Sequence, residues 1–312
     1  MNIKDANVVV CTVAAEDVAR VKGLGCLRDK TSPDKFNCRV LTRNGKITVA
    51  ESRVIADAAE KFGNGEVAMT TRQTVEIQGV PYENIDAMRA FLNENGLDIG
   101  GTGPKVRPVV SCKGTTCVFG LIDTYSLSRK IHDIYYVGYH DVKLPHKFKI
   151  SVGGCPITCV KPDLNDLGII GQRLIKRDLE KCRGCKKCQI EAGCPIKIAH
   201  VEEGKLVWDG CNNCGRCVGK CPFGVTDEYV DGYKVTIGGR WGKRVAQGQP
   251  LEMIFETEEE VLKMVEKCIL LFREQGVAGE RFTDTIARIG FENAQAQLLS
   301  DEILDRKEEI LK

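Results

Sequence analysis

Residues 182–195 read CRGCKKCQIEAGCP and residues 211–222 read CNNCGRCVGKCP, so two C-x2-C-x2-C runs, each closed by Cys-Pro, recur at a period of 29 residues. Upstream lies a different pattern, Cys112-x4-Cys117 followed after 37 residues by Cys155-x3-Cys159. Together they take twelve of the sixteen cysteines. Cys11, Cys26, Cys38 and Cys268 have no ligand spacing, and Cys268 falls on the apolar stripe of a helix, as a core residue does. A C-x2-C pair is also zinc spacing, so a pair of zinc ribbons is the plain alternative for the downstream runs. The third cysteine of each run and both Cys-Pro steps have no role in a tetrahedral zinc site. The four histidines show no paired arrangement that would support a mononuclear metal.

The 312 residues suffice for about two domains with a proper core. A formal net charge of +2 argues against nucleic acid or a membrane surface as the main partner. The opening MNIKDANVVV lacks a basic segment, a long apolar run and a small-residue cleavage site, so no secretory signal is expected. No stretch approaches the roughly 18 apolar residues that span a bilayer. Sixteen thiols without an export route point to a reducing cytoplasm.

Periodicity predicts an α+β fold. In residues 52–62, Val54, Ile55, Ala58, Ala59 and Phe62 share one helical face, with Gly63 placed to end the helix. Residues 84–95 repeat the design with Ile85, Met88 and Leu92, stopping at Gly96. Thr257 and Glu260 form a capping box ahead of Val261, Leu262, Val265, Cys268, Ile269 and Phe272. Alternation marks strands at Val75–Ile77 and Lys147–Val152, and a host strand resumes at Tyr233 after the cysteine runs. The last dozen residues, DEILDRKEEILK, read as a charged helix, solvated in the plainer reading and docked on a partner in the alternative.

The downstream runs resemble bacterial two-cluster ferredoxins, in which the fourth cysteine of each run serves the other cluster. Carried over, one cluster takes Cys182, Cys185, Cys188 and Cys221, and the other Cys211, Cys214, Cys217 and Cys194. Five residues rather than three separate Cys188 from Cys194, which loosens one loop without removing a ligand.

The upstream pattern is similar to the signature of the siroheme-dependent sulfite and nitrite reductases, although four residues rather than five separate Cys112 from Cys117. In that family the four thiolates hold one 4Fe-4S cluster, and the last, here Cys159, also bridges to the siroheme iron. The family's anion-binding groups have counterparts too. Met69-Thr70-Thr71-Arg72-Gln73 resembles its T-T-R-Q segment, Arg107 its second arginine, and Lys147-Phe148-Lys149 its lysine pair. A strand places Lys147 and Lys149 on one face. Sulfite carries close to two negative charges, and at an effective dielectric near 20 each cation at 4 Å is worth about 4 kcal/mol, so four converging cations make a strong attractor.

The resemblance implies that Arg72, Arg107, Lys147 and Lys149 bind substrate and deliver protons. It also implies cofactor contacts at Thr70, Thr71 and Gln73. The siroheme carboxylates need cations and N–H groups, for which Arg39, Lys113, Thr115, Thr116 and the basic loop Gly239–Arg244 are candidates. The implied organisation is a half-domain at 1–80, a siroheme and cluster domain at 81–174 and 231–312, and a ferredoxin insert at 175–230. Within the family the chain resembles the siroheme-bearing C subunit of anaerobic sulfite reductases. That implies siroheme, three 4Fe-4S clusters, and six-electron reduction of sulfite to sulfide. Electrons would come from an iron-sulfur subunit and a flavoprotein that oxidises NADH, since nothing here looks like a nucleotide-binding Gly-rich turn. Siroheme nitrite reduction to ammonia and a non-catalytic electron-transfer role are the alternatives. Larger family members complete each site from two fused repeats. This single copy is therefore expected to form a twofold homodimer whose cations complete the partner's cysteine-held site; completion within one chain is the alternative.

Overall fold

The apolar stripes become the buried faces of helices laid on two sheets. The computed structural model describes residues 13–312, so the expectations for the opening segment and Cys11 lie outside the described residues. A first layer contains α1 (Ala15–Gly23), β1 (Cys26–Arg28), β2 (Lys35–Val40), α2 (Val49–Phe62), β3 (Val67–Met69), β4 (Val75–Pro81) and α3 (Ile85–Glu94). Its sheet runs β1-β2-β4-β3, antiparallel throughout. α2 begins ahead of the expected stretch because Thr48 and Glu51 form a reciprocal capping box: the Glu51 N–H donates to Thr48 Oγ1 at 3.1 Å, and the Thr48 N–H to Glu51 Oε2 at 2.7 Å. Ile55, Ala58 and Ala59 of α2 and Ile85, Met88 and Leu92 of α3 are buried in one core with Phe36, Val40 and Ile77. The boundary expected at residue 80 is therefore too early, because the buried face of α3, followed by Leu97 and Ile99, belongs to this first core.

The second layer begins with β5 (Val110–Ser111), α4 (Thr124–Ile131), β6 (Ile150–Gly153) and β7 (Leu167–Lys176). A cysteine-rich segment follows, with α5 (Gln189–Gly193) and the hairpin β8 (His200–Glu202) and β9 (Lys205–Val207). The chain returns through β10 (Glu228–Ile237), β11 (Gln249–Phe255), α6 (Glu258–Gln275), α7 (Phe282–Ile289), α8 (Phe291–Leu299), α9 (Glu302–Asp305) and α10 (Lys307–Leu311). The sheet order is β11-β10-β7-β6-β5; β5, β6 and β7 are parallel, and β10 is antiparallel to both its neighbours. β7 and β10 pair in unbroken register from Leu167↔Ile237 to Lys176↔Glu228, so the cysteine-rich segment is carried on the end of a long two-stranded arm. Both strands run slightly into the expected insert, leaving residues 177–227 between them.

α6 covers this sheet with Val261, Val265, Cys268, Ile269 and Phe272 buried. Phe148, Phe272 and Phe282 pack ring against ring, with centroids 5.2 Å apart for Phe148 and Phe282 and 5.4 Å for Phe272 and Phe282. The last dozen residues are not a solvated helix. They break into α9 and α10 and fold back on α6, burying Ile303 and pairing Asp301 with the largely buried Lys267 at 2.6 Å, because the apolar Ile303 outweighs the charged surround. Among the described residues no helix is long and apolar enough to cross a membrane.

Candidate functional site

β5 and β6 lie side by side and parallel, and the candidate residues sit at their two ends. Arg107 precedes β5, and Lys147 and Lys149 precede β6; Cys112 follows β5, and Cys155 follows β6. Loops beyond the carboxyl ends of parallel strands are where such sheets build ligand crevices. From Lys149 to Cys155 the chain advances roughly 20 Å at about 3.3 Å per residue.

At the carboxyl end, Cys112, Cys117, Cys155 and Cys159 line a cavity of about 540 Å³, together with Gln73 and Tyr125. The two cysteine loops meet backbone to backbone: a Cβ on Gly154 would lie 2.8 Å from the Gly114 Cα, so neither position tolerates a side chain. The Gly154 N–H donates to Cys112 Sγ at 3.1 Å. Burial and the neighbouring thiols Cys112, Cys159 and Cys117 push the Cys155 thiol above its usual range. Cys159 alone of the four is exposed. The rim is apolar, with Val118, Phe119 and Ile157 all exposed. Lys113 lines the cavity, whereas the Thr115 hydroxyl donates to Asp123 at 2.7 Å and accepts the Tyr125 N–H at 3.0 Å, fixing the start of α4. The Thr116 hydroxyl donates to the Lys113 carbonyl.

At the amino end, Arg39, Arg72, Arg107, Lys147 and Lys149 line a separate cavity of about 230 Å³ with Thr74, Gly101 and Pro108. Phe148 and Ile150 are buried beneath, which turns both lysines to the cavity as the alternation demands. Arg72 donates to Asn165 Oδ1 at 2.7 Å and to the Pro108 carbonyl at 2.6 Å; its Nε is buried without a partner, as is that of Arg107. Arg107 donates to the Gly101 carbonyl, and Arg39 pairs with Glu76 at 3.0 Å. Burial lowers Arg72 and Arg107 to about 10, and burial reinforced by Arg72, Arg281 and Lys147 lowers Lys149 to about 8. Burial together with Arg281, Arg107 and Arg240 moves Lys147 down as well.

The segment around Arg72 joins the ends. Successive residues point to opposite sides: Arg72 and Thr74 face the cation cavity, and Gln73 faces the cysteine cavity. The Gln73 amide donates to the Ser111 carbonyl at 2.7 Å and accepts the Ser111 N–H at 2.9 Å, clamping the first layer to the strand that carries Cys112. Thr70 closes this turn through Thr74, with hydroxyls 2.7 Å apart, and Thr71 is exposed.

Three further residues carry no motif. Asp166, fully buried, accepts Arg281 on both oxygens at 2.9 and 2.8 Å and the Lys149 N–H at 2.8 Å. Asn165 braces Arg72, and its own amide donates to the Lys161 carbonyl at 3.0 Å, two residues past Cys159. The basic loop 239–244 lies beside this turn, with Lys161 over the Trp241 ring, while Arg240 is engaged by Asp284.

In the cysteine-rich segment, Cys194, Cys211, Cys214 and Cys217 line one small cavity. Burial together with Cys211, Cys214 and Cys194 pushes the Cys217 thiol up to about 11. Cys182, Cys188 and Cys221 pack on the same small core of Ile190, Leu206, Trp208 and Val225; Cys185 is partly buried nearby in sequence. Among the described residues no three metal-binding side chains converge as a single-ion site requires. A cubane, with one ligand at each of four separate irons, does not ask this of them. The segment is stitched to the host: the Arg173 N–H donates to the Asn213 carbonyl at 2.8 Å, and Arg216 lies over the Phe119 ring at 4.7 Å. Between the two sets of loops, Cys155 and Cys214 line one cavity of about 210 Å³.

Comparison with known proteins gives the family and the fold. The family model for the nitrite and sulphite reductase 4Fe-4S domain matches residues 102–306, and that for the nitrite/sulfite reductase ferredoxin-like half domain matches residues 28–95. An uncharacterized protein of Methanocaldococcus jannaschii is 31% identical over 260 residues, 83% of this chain and 90% of that protein. A coenzyme F420-dependent sulfite reductase of the same organism is 30% identical across 77% of this chain, but the match spans only 38% of that protein. The C subunit of the anaerobic sulfite reductase of Salmonella typhimurium is 33% identical over 150 residues, 43% of each chain. Among solved structures, dissimilatory sulfite reductase I superposes with a TM-score of 0.67 at 22% identity, covering 85% of this chain and 69% of that one, a likeness of fold. The chain belongs to the nitrite and sulphite reductase family, its half domain forming the first layer and its 4Fe-4S domain the second.

Proposed function

We propose that this chain reduces sulfite to sulfide, taking six electrons and six protons per sulfite and releasing three waters. The observation that carries the reading is the cavity walled by Arg39, Arg72, Arg107, Lys147 and Lys149, whose size suits a small oxyanion and whose charge suits a dianion. Lys149, lowered to about 8, holds a proton at Nζ that it can release near neutral pH. The arginines stay charged and orient the anion.

The residues present fit the family's cofactors. Cys112, Cys117, Cys155 and Cys159 surround a cavity with no other thiol among its lining, and would hold a 4Fe-4S cluster. The exposed Cys159, under an apolar rim of Phe119 and Ile157, suits a thiolate shared with siroheme. Bound there beside that cluster, siroheme would supply the electrons for reducing a sulfur-centred anion. The gathering of Cys194 with Cys211, Cys214 and Cys217 supports the crossed assignment of the two ferredoxin-type clusters, giving three in all. Cys155 and Cys214 across one cavity support electron entry from the insert. The donors are iron-sulfur and NADH-oxidising flavoprotein subunits, as the family resemblance implies.

The cation and cysteine cavities share no lining residue and lie at opposite ends of β5 and β6. That separation favours a twofold homodimer in which each chain's cations complete its partner's cysteine-held site. Turnover of sulfite and nitrite by purified protein with reduced methyl viologen tests the activity: sulfide is expected, ammonium alone would assign nitrite, and neither product would leave an electron carrier. Verified heterodimers of Lys149→Met with Cys159→Ser should regain activity that neither homodimer has; no recovery places both halves in one chain.

A further inference from the structure

Five cations around a cavity of about 230 Å³ attract carboxylates as well as substrate, and one carboxylate is within reach. Asp166 is fully buried, and its Oδ2 already accepts the backbone N–H of Lys149. Nothing in its position keeps its charge from cancelling that of the lysine except its other partner. Arg281, buried at the start of α7, spans both carboxylate oxygens at 2.9 and 2.8 Å, with its Nε left without a partner. A paired carboxylate and guanidinium contribute little net potential at a distance. Burial already pushes Asp166 above the usual carboxylate range against the pull of Arg281 and Lys149. Without Arg281 it would be held ionised by Lys149, Arg72 and Arg107 and turn its negative charge on the cavity.

We infer that Arg281 is a specificity-determining residue of the anion cavity: by occupying Asp166 it preserves the cavity's positive potential and so favours a doubly charged oxyanion over a singly charged one. The effect is electrostatic. A change in local potential acts on an anion in proportion to its charge, so the factor by which a monoanion is weakened is squared for a dianion. Arg281 does not line the cavity; it is a positioning residue acting through Asp166. The groups that face Lys149 are Arg72 from the Thr70–Thr74 turn, Lys147 from its own segment ahead of β6, Asp166 from the turn before β7 and Arg281 from the cap of α7. Arg39 and Arg107 share the cavity, and Arg240 acts on Lys147 from the neighbouring loop.

The inference rests on the proposed anion site but can be read without turnover. Competitive acetylation of the full chain across a pH series, followed by mass spectrometry of the Lys149 peptide, gives the lysine's midpoint. Arg281→Gln should raise that midpoint by about one pH unit, since the exposed Asp166 charge stabilises the protonated lysine. The same variant should lose about tenfold more kcat/KM for sulfite than for nitrite, and Arg281→Lys should restore both readouts. An unmoved midpoint, or equal losses for the two anions, overturns the inference. If Arg281→Gln does not fold, the double variant Asp166→Asn with Arg281→Gln removes both charges together. It should keep the parent midpoint and anion preference, and a shift in either overturns the inference. Should neither anion be reduced by the parent, the functional reading fails while the midpoint still decides the role of Arg281.

Discussion

The two ends of β5 and β6 are built in opposite ways. At the amino end the arginines and the lysine backbone are held by the protein itself: Arg72 by Asn165 and the Pro108 carbonyl, Arg107 by the Gly101 carbonyl, and the Lys149 N–H by Asp166 and, behind it, Arg281. A large hydrophobic core with three interlocked phenylalanines supports that end. At the carboxyl end, and in the insert beyond it, thiols face cavities, and the insert has only Ile190, Ala199, Leu206, Trp208 and Val225 as its buried core. So small a core does not hold about fifty residues together unaided. The difference teaches that the cation end is preorganised by packing, whereas the cysteine end depends on what its thiols bind.

The strongest way to break that comparison is to remove the iron. Chelation under reducing conditions, or Cys211→Ser, should raise the rate of proteolytic cleavage within residues 177–227 at least tenfold while the second-layer core stays intact. Equal sensitivity along the whole chain would show that the insert needs no metal. Next in size, Phe282→Ala opens the aromatic cluster beside Arg281 and should cost about 3–5 kcal/mol in urea unfolding of the host. Gln73→Ala strips the Ser111 backbone of both its amide partners and should cost about 2 kcal/mol, with faster amide exchange at Ser111 as the local readout.

A pH series sharpens the contrast at the amino end. In the free protein Lys149 is charged below about 8 and neutral above it, so the proposed anion affinity should be present at neutral pH and fall as pH rises through 8. The linked stability runs the other way: a lysine lowered in the folded state binds fewer protons than in the unfolded chain, so this group's contribution improves as pH rises from about 8 toward its ordinary value. The KM for sulfite and the urea midpoint should therefore both climb over that window. Smallest of all, Thr257→Ala removes the cap of α6 and should cost about 1 kcal/mol without altering either end, a control for stability alone.

Local patterns carry much of this architecture in the sequence. The stripes of α2, α3 and α6 are legible because helical periodicity is written residue by residue, and the lysine pair because a strand alternates faces. The α2 capping box is written there too, as the T-x-x-E of Thr48 and Glu51, a signal that moves the start of the helix ahead of its apolar stripe. Asp166 and Arg281 are not legible, because they stand 115 residues apart and neither sits in a motif. Nor is the fate of the terminal segment, whose charges hide Ile303, Leu304, Ile310 and Leu311, which dock it on the second core. Arg240, a cation in a basic loop on paper, is engaged by Asp284.

The sequence by itself determined the chemistry available: twelve thiols in two spacings, four cations in short segments that resemble one family's motifs, and enough apolar periodicity for an α+β fold. Only the tertiary structure decided that those cations and the upstream thiols stand at opposite ends of one strand pair, and which buried carboxylate is silenced by which arginine. Spacing along a chain records local geometry, whereas electrostatic potential depends on distances through space between residues that the chain itself keeps far apart.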